Sequence, residues 1–252
     1  MKITHPLNKS ISLIFNEENH SYVDNENNKY LSATTLIGDY FEKFDSERIA
    51  EKCAIKRGTT KEKLLKEWKD IAENASKQGS IVHNMLECLF DNTEYDDKEH
   101  AIYKKFDKQT RIVHNHIINE KKLIPIYLEQ ILFDPLTKIA GTVDGVFLYP
   151  DKSKYLLLDW KTSKSIDKEN NYRKYGYGPF KQFPDCSHVH YSIQVMIYSY
   201  LLKSQGYLDL DIPIDYRIVQ IHSDKSKSYE INQDIKMMDM GKIIIGRFMT
   251  SL

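Results

Sequence analysis

Two carboxylates and an ammonium stand within a short stretch of this chain, in Gly141-Thr-Val-Asp144 and, fifteen residues on, in Asp159-Trp-Lys161. Hard cations such as Mg²⁺ or Mn²⁺ prefer oxygen ligands, and carboxylates borne on adjacent strands can share one ion. Lys161 lies two positions after Asp159, so strand alternation turns both side chains to one face. An ammonium beside a cation can orient a water or neutralise charge developing on a phosphoryl group. By itself the triplet is weak, because Asp-x-Lys is expected about once by chance in a chain this charged. Position adds weight: Asp159 follows Leu156-Leu157-Leu158, and a charge at the end of an apolar strand needs a partner or an ion.

Other polar residues could join this chemistry. His83, in Gly79-Ser-Ile-Val-His83-Asn-Met-Leu-Glu87, shares a helix face with Glu87 one turn on, although a lone helical histidine is more often a surface or core residue. Glu129 sits on the strand before Asp144 and either extends the carboxylate cluster or is an exposed strand residue. Gln194 and Tyr198 are one turn apart in an otherwise apolar helix, so Gln194 faces solvent or is hydrogen-bonded in a site. For Tyr198, plain core packing competes with a role in the site. After Lys161 comes a loop that interleaves basic and aromatic groups in Tyr172-Arg173-Lys174-Tyr175, Tyr177, Phe180-Lys181 and Phe183, a composition suited to tracking phosphates and stacking bases. Thr162, Arg173 and Lys174 are its candidate substrate contacts.

These residues must be positioned by elements whose period changes along the chain. Residues 11–31 read as short strands with Asn/Asp-rich turns, including His20-Ser-Tyr-Val-Asp24, and Ser32 can cap a short helix through Leu36 and Ile37. Asp45 reads as the N-cap of a helix ending near Gly58, and Thr59 with Glu62 has capping-box spacing for the next one. That next helix carries Leu64, Leu65, Trp68 and Ile71, and Gly79 either ends it or lies inside a longer one. Apolar residues at helical intervals continue over 80–90 and 101–118. Ile126–Phe133, Ile139–Tyr149 and Tyr155–Asp159 then read as three successive strands, the last a continuous apolar run suited to burial on both faces. Residues 162–188 form a long loop, Tyr191–Gln205 an apolar helix closed by Gly206, Asp215–Ile221 a strand and Ile231–Phe248 a terminal helix.

Composition excludes more than it selects. With 252 residues and 41% hydrophobic content the chain can bury a sizeable core, and 36 basic residues balance 36 acidic ones, so any nucleic-acid contact needs local basic surface. Three scattered cysteines, Cys53, Cys88 and Cys186, argue against a disulfide framework and are too few for an iron-sulfur cluster held by four thiolates. No apolar run reaches membrane-spanning length and the first residues lack a signal-peptide core, so an intracellular protein that contacts no membrane is expected, in a bacterial cytoplasm or an organelle matrix. Glycine-rich phosphate loops, dinucleotide fingerprints, nucleophile elbows and paired Cys-x-x-Cys are lacking.

In order, Gly-Ser-Ile-Val-His83, Gly-Thr-Val-Asp144, Asp159-Trp-Lys161 and Gln194-x-x-x-Tyr198 resemble the RecB-like branch of the PD-(D/E)XK nuclease superfamily over roughly residues 75–222. The opening, with His20-Ser-Tyr, Ser32-Ala-Thr-Thr and Phe44-Asp45, is also similar to small phage and viral exonucleases and to the mitochondrial genome maintenance exonuclease family. The resemblance implies an α/β, restriction-endonuclease-like core with a central mixed β-sheet flanked by helices over residues 75–252, preceded by an N-terminal hairpin and helical extension over 1–74, as one compact unit. It implies Mg²⁺ or Mn²⁺ held by His83, Asp144, Asp159 and the Trp160 backbone carbonyl, Lys161 orienting the attacking water, and Gln194 and Tyr198 contacting substrate or bracing the site. Glu87 and Glu129 are possible accessory groups. The implied activity is exonucleolytic hydrolysis of DNA, single-stranded or at strand ends, without an iron-sulfur cluster. A structure-specific endonuclease and a non-catalytic DNA-binding protein keeping the fold are the alternatives.

Overall fold

A computed structural model describes residues 2–16 and 21–250. His20 lies outside the described residues, so that part of the N-terminal resemblance has no structural counterpart here. The chain is α/β, with helices flanking a mixed sheet of nine strands among the described residues.

Four short strands open it: β1 (Lys2–Thr4), β2 (Ser12–Asn16), β3 (Ser21–Asp24) and β4 (Lys29–Ser32), paired antiparallel in sequence order. Ser32 ends β4 and caps α1 (Ala33–Gly38), its hydroxyl accepting from the Thr35 N–H at 3.0 Å. Asp45 caps α2 (Ser46–Arg57), which ends in a left-handed Gly58 at φ 59°, as the sequence predicts. The next cap is Thr60 rather than Thr59, its side chain accepting from the Lys63 N–H at 3.3 Å.

Helix α3 (Lys61–Phe90) then runs unbroken for 30 residues, roughly 45 Å at helical rise. Gly79 is therefore interior, and the expected division at residue 74 falls within this one helix. A β-carbon at Gly79 would meet only the Thr162 hydroxyl at 3.7 Å, an ordinary contact. Helix α4 (Ala101–Asn115) follows and closes in a wider π-type turn at His116–Glu120.

Strands β5 (Ile124–Asp134), β6 (Ile139–Leu148) and β7 (Tyr155–Lys161) take the predicted order, each within two residues of its expected bounds. The 162–188 segment holds a short 3₁₀ turn at Gly178–Phe180 and a Tyr175–Pro184 bridge, and it drives Phe180 and Phe183 into the core. Helix α5 (Ser187–Ser204) begins four residues before Tyr191 because Ser187 to His190 already pack helically under this segment. Strand β8 (Ile214–Ile221) lies parallel to β7, and β9 (Ser226–Tyr229), whose polar sequence gave no strand signal, pairs with β8. The expected terminal helix is two pieces, α6 (Gln233–Lys236) and α7 (Met240–Thr250); Asp239 breaks it by accepting from the Lys242 N–H.

The sheet forks around β6. Strand β5 follows one edge of β6 from Asp134↔Ile139 to Ile124↔Leu148, so its other neighbours must share the opposite edge. Strand β4 takes the first part of that edge, in parallel, at Leu31↔Ile139 and Ser32↔Ala140. Strand β7 takes the last part, antiparallel, from Gly145↔Leu158 to Leu148↔Tyr155. Residues Gly141 to Asp144 fall between the two, where the sheet splits. The N-terminal strands, expected as an extension before the core, are thus part of the same sheet.

Apolar side chains fill both sides. Val143, Leu157 and Ile218 pack with α1, α5 and α7, while Phe147, Leu158 and Trp160 pack with α3 and α4. A third cluster, Leu13, Tyr22, Tyr30, Ile131 and Phe133, seals the N-terminal hairpin onto β5.

Candidate metal centre

The fork opens into a cavity of about 630 Å³ between α3, α5, the N-terminal hairpin and β6. Seven of the residues singled out from sequence line it: His83, Glu87, Glu129, Asp144, Lys161, Gln194 and Tyr198.

Three of them converge. One ligand atom each from His83, Glu129 and Asp144 lie within 4.8 Å of one another, a spacing that could hold a single cation. His83 Nδ1 is 2.9 Å from Glu129 Oε1 and 3.7 Å from Asp144 Oδ1. The other Asp144 oxygen accepts from the Trp160 N–H at 2.7 Å, which fixes the carboxylate and leaves Oδ1 toward the histidine. Two carboxylate oxygens and one imidazole nitrogen suit Mn²⁺ and accommodate Mg²⁺. The donor set therefore fits the implied metal.

Glu129 reaches this point at a conformational cost. It adopts φ 43° in the middle of β5, where the ladder passes from Leu128↔Gly145 directly to Gln130↔Val143. A non-glycine residue in the left-handed region costs roughly 1–3 kcal/mol and persists only when its surroundings impose it. Here the departure from strand geometry delivers the carboxylate to His83. Of the two roles left open in the sequence, Glu129 takes the clustered one.

Asp159 and Lys161 form a second layer. Lys161 Nζ donates to Asp159 Oδ1 at 2.8 Å and lies 4.9 Å from the centroid of the Tyr191 ring. Asp159 is 1% exposed, and its Oδ2 has no hydrogen-bond partner among the described residues. It sits beneath Lys161 rather than in the cavity wall, so what it holds in this structure is the ammonium. At Trp160 the contact made is through the backbone N–H, while the indole packs in the opposite core.

Charge and burial pull against each other at His83, Asp144, Asp159 and Lys161. Burial pushes the Asp144 and Asp159 carboxyls above the usual range, with His83 and Lys161 pulling back. Burial disfavours the His83 imidazolium, but Asp144 and Glu129 outweigh it and hold the group at about 9. Burial likewise opposes the Lys161 ammonium, and Asp159 and Asp144 keep it charged. Burial raises Glu87 as well, with Asp91 adding to it.

Gln194 and Tyr198 act as a unit, the Gln194 Nε2 donating to the Tyr198 hydroxyl at 2.9 Å. The Tyr198 ring lies against Gly141, where a β-carbon would stand 2.6 Å from Cε1. Gly141 therefore admits the tyrosine that braces the split strand.

The proposed loop contacts are not brought to this cavity. Lys174 is ion-paired with Glu42 at 3.0 Å, and Arg173 occupies a left-handed turn whose N–H bonds to the Asn170 carbonyl. The Thr162 carbonyl accepts from Gln78 Nε2 at 3.3 Å, which ties it to α3 instead. Conversely Phe15, Asn84 and Thr142 line the cavity without having been proposed as site residues, and so do Tyr22 and Thr34, which entered only through the N-terminal resemblance. The two-residue spacing of Thr142 from Asp144 could also have pointed to it.

Fold and site together define an α/β protein whose split mixed sheet carries a partly buried cluster of histidine, carboxylates and lysine. No protein-family model matches the chain, and no curated protein matches it either. No helix among the described residues is long and apolar enough to cross a membrane.

Proposed function

We propose that this chain is a metal-dependent deoxyribonuclease, with a restriction-endonuclease-like core, that hydrolyses DNA phosphodiester bonds from strand ends. The observation that carries the reading is the convergence of His83, Glu129 and Asp144 in a cavity whose wall Lys161 shares. The four-motif resemblance to RecB-like nucleases supports the same chemistry. Other metal-holding proteins need no ammonium fixed beside the carboxylates.

A bound divalent cation supplies Lewis-acid polarisation of a phosphoryl oxygen and lowers the pKa of a coordinated water. Mg²⁺ or Mn²⁺ would be held by His83, Glu129 and Asp144, with the buried free oxygen of Asp159 available behind them. Asp159 aims the Lys161 ammonium, whose remaining protons can donate to a water or to a non-bridging phosphate oxygen. Tyr198 and Gln194 keep the Gly141–Asp144 segment from shifting as substrate charge arrives.

End-labelled linear and circular single-stranded oligonucleotides, incubated with Mg²⁺, Mn²⁺ or chelator, test this directly. Metal-dependent loss of label from linear strands with circles left intact is the expected result. Cleavage of circles would replace the exonuclease with an endonuclease, and no cleavage with either metal would overturn the enzyme reading.

A further inference from the structure

We infer that Tyr191 is a positioning residue for Lys161: its ring and the Asp159 carboxylate together hold the ammonium so that it points into the cavity. The inference rests on the proposed phosphodiesterase reading and adds a residue to its machinery.

Helix α5 carries Tyr191, Gln194 and Tyr198 at i, i+3 and i+7, a spacing that sets them along one face. Tyr198 meets the split strand at Gly141, and Gln194 bonds to its hydroxyl. Tyr191 stands two turns earlier and meets the other strand of the site, with Lys161 Nζ 4.9 Å from its ring centroid. One helix thus braces both β6, which carries Asp144, and β7, which carries Lys161. Its first turns are themselves anchored, since His188 Nε2 donates to the Glu230 carbonyl at 2.8 Å and Ser192 Oγ accepts from the Asn232 N–H at 2.9 Å.

Other lysines of this chain also lie over rings, so the contact alone decides nothing. Lys138 over Tyr30 and Lys154 over Tyr149 keep 35% and 39% of their side chains exposed, whereas Lys161 keeps 17%. Water competes for an ammonium, so attraction to a ring face strengthens as the ammonium is dehydrated. Lysine places its charge on a flexible four-carbon stem, and a grip through one Asp159 oxygen sets the distance of the head without setting its direction. The ring supplies the second point of contact. Of the three ammonium protons, one goes to Asp159, the ring face attracts a second, and the third is left for a water or phosphate oxygen in the cavity. Tyr191 itself is not part of the cavity lining, so its ring acts on substrate through Lys161.

The test uses the full chain with Mn²⁺ and the end-labelled linear oligonucleotides. Tyr191→Leu should lower kcat by roughly 5- to 30-fold, the range of one partly dehydrated cation–π contact, with KM and Mn²⁺ affinity held within about twofold. Tyr191→Phe should restore kcat, because the ring and not the hydroxyl does the holding. A trifluorinated phenylalanine at this position keeps the ring's shape but withdraws charge from its face, and should bring kcat back toward the leucine value. In a Lys161→Ala background Tyr191→Leu should cause no further loss, because both changes remove one interaction. An unchanged kcat in Tyr191→Leu, a phenylalanine as impaired as leucine, a trifluorinated ring as good as phenylalanine, or fully additive losses overturns the inference. The comparison of the plain and fluorinated rings decides even if Tyr191→Leu fails to fold. Should the wild type bind Mn²⁺ yet cut nothing, the phosphodiesterase reading fails separately. The positioning is then judged by the NMR order parameter of the Lys161 ε-methylene group, which should be higher beside phenylalanine than beside the trifluorinated ring; equal order in the two chains overturns it.

Discussion

Asp24 and Asp159 are both buried aspartates, at 3% and 1% exposure, yet their surroundings move their protons in opposite directions. At Asp24, burial alone would raise the pKa, but hydrogen bonds from Asn28, from the Glu26 backbone and from Lys138 outweigh it and hold the group at about 2. One oxygen accepts from the Glu26 and Asn28 N–H groups at 2.9 Å each, and the other from Tyr30 at 3.1 Å and Lys138 at 3.3 Å. At Asp159 burial prevails and the pKa rises, because among the described residues Lys161 is its single donor and one oxygen is left bare. The first carboxylate is satisfied by the fold, whereas the second keeps capacity that the fold does not fill. Stored electrostatic cost of this kind marks where a site can bind charge.

That contrast is broken most severely at Asp144. Asp144→Asn should lower cleavage by on the order of 10³-fold or more, since it removes a metal-holding oxygen. Its stability should be maintained, because three carboxylates (Glu129, Asp144, Asp159) face two cations (His83, Lys161) and the variant evens the cluster. Calorimetric Mn²⁺ titration and thermal unfolding together check both halves. A large loss of stability would place Asp144 with Asp24 as a structural carboxylate. Lys161→Ala should follow at about 10²- to 10³-fold in kcat with Mn²⁺ still bound, the scale of losing one fixed donor to developing charge. Undiminished turnover by the purified variant would remove Lys161 from the chemistry.

How much of this was legible in the sequence follows from what each feature depends on. Buried strands and capped helices are set by local pattern, so β5 to β8, α1 and α2 fall near their expected places. Thr60 took the cap from its neighbour Thr59 because either hydroxyl can accept from the first turn, and only the entry angle of the chain decides. Strand β9 is polar and earns its place by pairing with β8 rather than by burial. In the site, Asp144, Lys161, Gln194 and Tyr198 are local motifs and could be read. The clustered role of Glu129 could not, since it depends on a left-handed residue inside a strand, and Phe15 with Tyr22 depends on where a distant hairpin docks. Arg173 and Lys174 lie away from the cavity because composition describes a loop's chemistry without fixing its direction, and here Glu42 takes the lysine.

Gly141 tests whether the rigid bracing extends into the site itself. A β-carbon there would overlap the buried Tyr198 ring, 2.6 Å from Cε1 and 3.3 Å from the hydroxyl oxygen. Gly141→Ala should cost about 1–3 kcal/mol by overpacking, read from the denaturant midpoint, and should lower turnover by shifting the strand that carries Asp144. Pairing it with Tyr198→Leu should recover part of the stability without recovering turnover, because the brace is gone. A Gly141→Ala variant as stable as wild type would show that the ring is free to move aside.

The smallest effect belongs to the satisfied carboxylate, and its sign is opposite to that of the site. Because the folded-state pKa of Asp24 is depressed from 3.8 to about 2, its contribution is complete above about pH 4 and is lost as pH falls from there through 2. A shift of that size corresponds to about 2 kcal/mol. Denaturant unfolding of wild type and Asp24→Asn should therefore differ by about 2 kcal/mol at pH 6 and converge toward pH 2, with Mn²⁺ affinity the same in both. Subtracting one curve from the other cancels the remaining carboxylates that titrate in that range. A stability difference that stays constant with pH would mean that the hydrogen bonds at Asp24 matter for their geometry and not for its charge, and the electrostatic contrast with Asp159 would then fall away.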